Sequence, residues 1–148
     1  MSFTFMTHAL HGPVARCLFI LLLLSPFGAH ADDIVIIVHR DNPNVVDAAF
    51  VQRVYVGAIK GWPDGKPVLV FDQPEGSDAR EVFCTTVLKK SVTNVKAIWS
   101  QNIFTGKGLP PKVTSPDEAI KQAVAANIGA IGYIHASQLD ATVKVLGK

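Results

Sequence analysis

The segment from Asp72 to Ser77 and the helix after it hold the residue types and spacing most suited to binding an anion. An apolar, β-prone run, Val68–Phe71, stops at the turn Pro74-Glu75-Gly76. Ser77 follows as a favoured N-cap, whose hydroxyl accepts a hydrogen bond from one of the first free N–H groups of a helix. A strand, a glycine turn and a capped helix together direct several N–H groups at one point, which is the general geometry of an anion site.

The charges around this turn leave a second interpretation open. Four acids, Asp72, Glu75, Asp78 and Glu81, crowd the turn against one base, Arg80. Acids in the first turn of a helix satisfy the positive end of its dipole themselves, by about 0.3–1 kcal/mol each. The turn is therefore either an anion site or a plainly capped helix, and the residue types alone do not choose.

Other kinds of site have little support. His39 and His135 both follow predicted strands, but they are far apart in sequence and show no metal-ligand spacing with Asp41. Lys107 lies in Thr-Gly-Lys-Gly, which lacks the GxxxxGK[ST] spacing of a phosphate loop. No Ser-His-Asp arrangement, paired acid set or dinucleotide fingerprint occurs, so the sequence predicts neither an enzyme nor a cofactor.

The other side chains that could take part in a site, one cysteine and three aromatic residues, are interpreted as structural. Cys84 lies among apolar residues of the helix after the turn, and we expect a buried small hydrophobe. Trp62 is expected to pack on the turn that it enters, and Trp99 and Tyr133 are expected in the core.

The first thirty-one residues predict a secretory signal peptide. Arg16 precedes an apolar run, Leu18–Leu24, that is too short to span a bilayer, and Ala29-His30-Ala31 is a small-x-small cleavage site. Cleavage after Ala31 leaves 117 of the 148 residues, about one small domain. That domain carries 13 basic and 12 acidic residues, and this balance argues against a nucleic-acid or membrane-surface binder.

Hydrophobic periodicity and capping residues place the elements that must position the turn. The β-branched run Ile34–Val38 predicts a strand buried on both faces, and Ser115-Pro116-Asp117-Glu118 predicts a helix start. The other expectations are a helix from Asp47 with Gly57 just past its end, a strand over Pro67–Phe71, a helix from Ser77 to about Lys90, a helix capped by Thr93, strands over Ala130–Ile134 and Thr142–Leu146, and a helical turn over His135–Leu139. This order predicts an α/β domain with a mixed or parallel sheet flanked by helices. Such domains commonly bind ligands at the carboxyl ends of their strands.

Three segments carry a family resemblance. Phe50–Gly57 with Ile59–Trp62, Glu75-Gly76-Ser77 with its helix, and Ala125–Tyr133 resemble the IFxGxIxxW, RSDGSGT and pGAIGY motifs of the phosphate-binding protein of bacterial ABC phosphate transporters, a type II periplasmic binding protein. The motifs occur in the family's order over nearly the whole chain after the leader. Full-length members of that family close two lobes around the anion, and this chain is about as long as one lobe. It therefore resembles a single lobe, the one that is inserted between the two halves of the other lobe.

The turn departs from the family's pattern at several positions. Gln73 stands where the family has Arg, Glu75 where it has Asp, and Ala79 where it has Thr, while Gly76 and Ser77 match. Arg80, one position further into the helix, is the candidate for supplying the missing charge. The resemblance thus implies a ligand-binding set made of Gln73, Gly76, Ser77, Asp78 and Arg80.

The resemblance implies two functional hypotheses for a domain over residues 32–148. In the first, a secreted periplasmic protein binds phosphate or a related oxyanion and delivers it to an inner-membrane ABC permease. In the second, the domain has lost its ligand and pairs with another periplasmic protein. A homodimer that rebuilds a two-sided cleft is a further possibility. Anion affinity discriminates the two hypotheses, and the Gln73 and Ala79 replacements favour the second.

Overall fold

The computed structural model describes residues 33–147, and the predicted signal peptide lies outside the described residues. In chain order the elements are β1 (Ile34–His39), α1 (Ala48–Tyr55), β2 (Leu69–Asp72), α2 (Asp78–Val82), a π-helical turn (Phe83–Val87), α3 (Val92–Phe104), β3 (Lys112–Val113), α4 (Asp117–Ala125), β4 (Ala130–His135), a 3-10 turn (Ala136–Gln138) and β5 (Val143–Val145). Within this range no helix is long and apolar enough to cross a membrane.

The five strands form one mixed sheet in the order β3-β2-β4-β1-β5. β2 runs parallel to β3 and β4, whereas β1 runs antiparallel to β4 and β5. The predicted α/β fold with a mixed sheet flanked by helices is confirmed. The carboxyl ends of β2, β3 and β4 therefore meet at one edge of the sheet, here called the carboxyl edge, and the carboxyl end of β1 lies at the opposite edge.

Helices cover both faces of the sheet. Successive strand residues point to opposite faces, and β1 follows this rule: Ile36 and Val38 pack in a core shared with α1, α2 and α3, and Ile37 packs in a second core with α4. The predicted burial of this strand on both faces is thus confirmed. At Gly132 of β4 an added Cβ would lie 2.7 Å from Ile120 Cγ2, so the missing side chain lets α4 approach the sheet.

The helix starts agree only in part with the sequence. The helix predicted from Asp47 begins at Ala48, and Asp47 caps it by accepting a hydrogen bond from the Phe50 N–H at 2.8 Å. Gly57 follows α1 with φ +76°. The predicted cap Thr93 is wrong. Ser91 is the cap, because its Oγ accepts a hydrogen bond from the Asn94 N–H at 3.1 Å and α3 begins at Val92. Ser115 is also wrong as a cap, since Pro116 occupies the cap position of α4 without a side-chain hydrogen bond.

Two further differences concern the elements beside the turn. The helix predicted from Ser77 to about Lys90 is a short α2 that continues as the π-helical turn and ends at Val87. β3 is a strand that the sequence did not predict. It has two residues and pairs with the end of β2 as Phe71↔Lys112 and Asp72↔Val113.

Candidate functional site

The predicted anion turn lies at the carboxyl end of β2, on the carboxyl edge. Gly76 has φ +84°, a left-handed conformation that glycine adopts without steric cost. Ser77 is confirmed as the N-cap of α2: its Oγ accepts from the Arg80 N–H at 3.3 Å. The Ser77 N–H itself donates to Pro74 O at 3.2 Å and closes the turn.

Three backbone N–H groups at this turn are unpartnered within the described part of the chain, and two of them belong to exposed residues. Among the described residues, no acceptor is hydrogen-bonded to the N–H groups of Gly76, Asp78 or Ala79. Unpartnered N–H groups are expected in the first turn of a helix, where they and the helix dipole favour a negative charge. Gly76 and Asp78 are exposed, whereas Ala79 is buried. The turn therefore has the backbone geometry of an anion site.

Arg80 is turned inward and is already paired. Its side chain is 8% exposed, and its Nη1 donates to Asp72 Oδ2 at 2.7 Å and to Gln73 O at 2.8 Å. Its Nε is buried with no hydrogen-bond partner in the described part of the chain. The single base that the sequence offers at the turn is thus neutralised by the acid that ends β2.

Asp72 joins this pair to the core. Its Oδ1 accepts from the Tyr133 hydroxyl at 2.5 Å and from the Gln73 N–H at 2.8 Å. Burial raises the pKa of Asp72, although hydrogen bonding from Tyr133 and the charge of Arg80 act against this rise. Burial, followed by the nearby Asp72 charge, raises the pKa of Tyr133 well above its usual range. Tyr133 is core, as predicted, but its hydroxyl also orients Asp72.

Gln73 is likewise held inside the protein. It is 3% exposed, and its Nε2 donates to Asp117 Oδ1 at 2.7 Å and to Tyr133 O at 3.3 Å. The other Asp117 oxygen accepts from the His135 N–H at 2.8 Å and lies 2.7 Å from His135 Nδ1. The Gln73 amide therefore ties the ends of β2 and β4 to the start of α4, and the structure gives it no exposed group for a ligand.

A cavity of about 390 Å³ opens on one side of the turn, here called the turn cavity. Arg80 lines it, together with Lys96 and Ser100 of α3, which sequence reasoning missed. Lys96 Nζ lies 3.2 Å from Glu75 Oε2, and both side chains are more than half exposed. No signal in the sequence could have placed Lys96 here, because 21 positions separate it from Glu75.

The structure separates the residues considered for a metal site. His39 ends β1 opposite Val143, whereas His135 ends β4 opposite Ile34, so the two lie at opposite edges of the sheet. Between residues 33 and 147, no group of three or more His, Cys, Asp or Glu side chains could hold a metal ion. The antiparallel course of β1 explains the separation.

The residues interpreted as structural are largely confirmed. Cys84 is 2% exposed, and burial raises the pKa of its thiol to about 11. Trp62 is buried, stacks on Phe50 at 5.5 Å between ring centroids, and donates from Nε1 to Gly129 O at 2.9 Å. Trp99 is only half-buried, and its Nε1 donates to Tyr55 O at 3.0 Å.

The fold and the turn define a single-lobed α/β domain with a capped helix start at the carboxyl edge of its sheet. Residues 28–148 match the family model of the PBP superfamily domain, and the chain belongs to this superfamily. The expected resemblance is confirmed at the level of fold and superfamily. No curated protein sequence matches the chain significantly.

Solved structures with a similar fold come from phosphate transport systems. A Clostridium perfringens protein assigned as a phosphate ABC transporter substrate-binding protein, solved with bound phosphate, superposes with a TM-score of 0.62 at 23% identity, over 76% of this chain and 43% of that one. An ABC-type phosphate transport receptor from Vibrio cholerae gives 0.59 at 19% identity, over 76% and 44%. PstS from Borrelia burgdorferi gives 0.59 at 13%, over 76% and 46%. Our chain thus spans less than half the length of these structures.

Proposed function

We propose that the chain is an exported, non-enzymatic solute-binding domain that binds phosphate or a related oxyanion at the Gln73–Arg80 turn. One observation carries the proposal: the N–H groups of Gly76, Asp78 and Ala79 lack acceptors within the described residues, at a capped helix start on the carboxyl edge. Membership of the PBP superfamily supports the same assignment.

The candidate residues contribute to such binding in different ways. The Gly76 and Asp78 N–H groups are direct donors, and the Ser77 hydroxyl caps the helix while remaining half-exposed. Arg80 acts through its charge from beneath the turn, and this charge is offset by Asp72 at 2.7 Å. Gln73 positions the strand end. Because the exposed side of the site is screened by water, the affinity is low.

The place of action follows from the predicted leader. A signal peptide cleaved after Ala31 delivers residues 32–148 to the periplasm, where the domain hands its anion to an inner-membrane ABC permease. No nucleic-acid role fits the nearly balanced charge of the domain. Two copies facing each other through their carboxyl edges would rebuild a two-sided site, which makes a homodimer part of the proposal.

A second function is favoured by the internal pairing at the turn. Arg80 and Gln73 both bond to groups of their own domain, and Asp78 and Glu81 leave negative charge on the exposed side. A domain with this arrangement could serve as a periplasmic protein-interaction module that has lost its ligand. Its carboxyl edge would then contact a protein instead of an anion.

An amide titration by NMR tests the proposed site directly. We expect millimolar phosphate to shift the amide resonances of Gly76, Asp78 and Ala79 before those of the opposite edge of the sheet. Sulfate serves as the control for ion identity. If these amide resonances do not shift at tens of millimolar of either ion, the anion site is rejected and the protein-interaction module is the remaining proposal.

A charge variant sharpens this test. Asp78→Asn with Glu81→Gln removes two negative charges from the exposed side of the turn, so phosphate affinity should rise several-fold. The matched control is Asp41→Asn, an exposed acid after β1 at the opposite edge, which should leave the affinity unchanged. Equal responses from both proteins would show that the anion binds away from the turn.

A further inference from the structure

Two of the most exposed apolar side chains in the described part of the chain lie in the short connection between α3 and β3. Phe104, the last residue of α3, is 92% exposed, and Leu109 is 82% exposed. Ile103, beside Phe104, is also exposed. The segment from Ile103 to Leu109 is here called the apolar tip. A single exposed apolar residue needs no explanation, but several in one segment indicate an interaction site.

Hydrogen bonds hold the backbone of the apolar tip in place. Gly106 has φ +70°, and the Lys107 N–H that follows donates to Asn102 O at 2.8 Å, which closes the end of α3. Lys60 Nζ donates to Lys107 O from the loop after α1. The exposed side chains are therefore presented on a bonded turn, and their exposure does not come from a lack of local structure.

The charge around the apolar tip has one sign. Residues 82–116 contain five lysines and no acid, so the rest of the domain holds eight of its bases and all twelve of its acids. The balanced net charge argues against a membrane-surface binder only when it is averaged over the whole domain. Lys107 belongs to the apolar tip and Lys60 is bonded to its backbone, and neither forms a salt bridge with a described residue.

This charge distribution selects among the possible partners. A second copy of the chain would bring lysines against lysines, because residues 82–116 contain no carboxylate to pair with them. A folded acidic protein would need a separate pocket for each protruding apolar side chain. The interfacial region of a bilayer accepts Phe and Leu side chains without such pockets, and it attracts nearby lysines when its lipids are anionic.

We propose that the apolar tip binds the surface of a bilayer that contains anionic phospholipids. Phe104 and Leu109 insert at the boundary between head groups and acyl chains, and the ammonium groups of Lys60 and Lys107 lie at the lipid phosphates. The apolar tip lies near the start of β2, where Leu109 and Val68 line the same cavity, whereas the turn follows the end of β2. The proposal therefore does not depend on phosphate binding at the turn.

Vesicles of two compositions test the proposal. The exported protein, purified from cells that express the complete 148-residue chain, is sedimented with vesicles of phosphatidylglycerol and phosphatidylcholine, and with vesicles of phosphatidylcholine alone. We expect about tenfold tighter binding to the anionic vesicles, because two lysines are attracted to their surface. This preference should decrease as salt is raised. Equal binding to the two compositions, or no binding to either, overturns the proposal.

Apolar variants locate the membrane contact. Phe104→Ser with Leu109→Ser should weaken binding to the anionic vesicles about tenfold, because the inserted apolar area is lost. Both side chains are exposed, so the fold should survive the change. The control pair is Val45→Ser with Leu139→Ser, two exposed apolar positions that line neither cavity beside α3. Unchanged binding by the Phe104 and Leu109 variant overturns the assignment to the apolar tip.

Lysine variants test the charge contribution. Lys60→Gln with Lys107→Gln should weaken binding to the anionic vesicles about tenfold. The control pair Arg40→Gln with Lys144→Gln removes the same charge after β1 and in β5, on the other side of the sheet, and should not weaken it. An equal loss in both pairs would mean that net charge alone drives the binding, which overturns the role of the apolar tip.

Two further measurements separate the alternative partners. Light scattering should find no self-association that Phe104→Ser with Leu109→Ser removes. A dimer that this variant dissociates would show that a second copy covers the apolar tip, and the proposal would fail. Polyglutamate offers the negative charge without an apolar interior, so it should bind more weakly than the anionic vesicles. Equally tight binding of polyglutamate would favour an acidic protein as the partner and would also overturn the proposal.

Discussion

At the scale of single residues, the main feature of the candidate site is the buried network of Arg80, Asp72 and Tyr133. The Arg80–Asp72 pair is 2.7 Å long, with both side chains 8% exposed. Buried ion pairs add little stability relative to an apolar replacement, but removal of one partner leaves an uncompensated charge. The Arg80 side chain is therefore bonded to groups of its own domain, and an anion at the turn would interact with a charge that Asp72 already offsets.

This network predicts a large loss of stability in Arg80→Met. The variant leaves the Asp72 carboxylate buried without its cation, which costs about 3–5 kcal/mol of unfolding free energy. Urea denaturation at pH 7 measures the loss. Asp72→Asn placed in the Arg80→Met background should recover most of it, because the second change removes the uncompensated charge.

The stability of Arg80→Met should change with pH in a direction that the pKa of Asp72 determines. Burial already raises the pKa of Asp72, and loss of Arg80 raises it further. Because the folded form then holds a proton more tightly than the unfolded form, stability rises as pH falls from the raised folded pKa towards the ordinary one. Lys96→Met is the control, since its pair with Glu75 is exposed and worth at most about 1 kcal/mol. An equal loss in both variants would contradict the structural role of Arg80.

The same network shows how far the sequence could define the site. The turn, its glycine and the Ser77 cap follow from local spacing, so they could be predicted. The inward direction of the Arg80 side chain and the Gln73–Asp117 hydrogen bond could not be predicted, because each depends on a partner that only the folded chain brings close. Lys96 reaches the turn from α3 for the same reason.

At the scale of elements, helix starts show where local rules succeed and fail. The Ser77 cap and the helix start near Asp47 could be predicted, because each lies directly before a helix-periodic segment. Ser91 and Thr93 are both favoured cap residues two positions apart, and in the structure Ser91 caps the helix. The two-residue β3 carries no periodic pattern, and it exists only because the end of β2 offers it a partner.

The start of α3 predicts unequal effects for two similar substitutions. Ser91→Ala removes the acceptor of the Asn94 N–H and should cost about 1 kcal/mol. Thr93→Ala at an exposed position inside the first turn should cost nothing or stabilise slightly, because alanine has the higher helix propensity. Thermal or urea unfolding of the two variants compares them. A larger loss for Thr93→Ala would place the cap at Thr93 after all.

The link between α4 and the chain before β5 predicts a dependence on acid. Lys121 Nζ lies 2.6 Å from Asp140 Oδ2 and 2.8 Å from Glu118 Oε2. Hydrogen bonding from Lys121, followed by that from Thr142, lowers the pKa of Asp140 to about 2. A lowered pKa contributes stability above the unfolded value, near 4, and the contribution is lost as pH falls towards 2.

Lys121→Met tests this link while retaining most of the side chain's apolar stem. The variant should be less stable than the parent at pH 7, and the difference should shrink as pH falls from about 4 through about 2, the pKa at which half of the Asp140 carboxyls of the folded parent are protonated. Unfolding curves at fixed ionic strength over this range measure it. A difference that stays constant with pH would assign the loss to packing instead of charge.

At the scale of the whole molecule, the sheet places every candidate group of the turn on one open edge. Parallel β2, β3 and β4 end there, together with the starts of α2 and α4. The chain spans only 43–46% of the length of the similar structures named above. In the described domain, Gly76 and Asp78 are exposed, so water would reach an anion that binds at the turn as proposed.

This one-sided geometry predicts weak and salt-sensitive phosphate binding by the isolated domain. We expect a dissociation constant near 1 mM, which corresponds to about 4.1 kcal/mol of binding free energy. The exposed charges of Asp78 and Glu81 repel an anion, and salt screens this repulsion within about 10 Å at 0.1 M but only within about 30 Å at 0.01 M. Affinity should therefore rise as the salt concentration is raised from 0.01 M to 0.1 M. Calorimetric titration at both ionic strengths measures the change, with chloride as the only competing anion. A micromolar constant that is insensitive to salt would mean that the anion is enclosed, and size-exclusion chromatography with light scattering would then show whether a second copy of the chain supplies the other side.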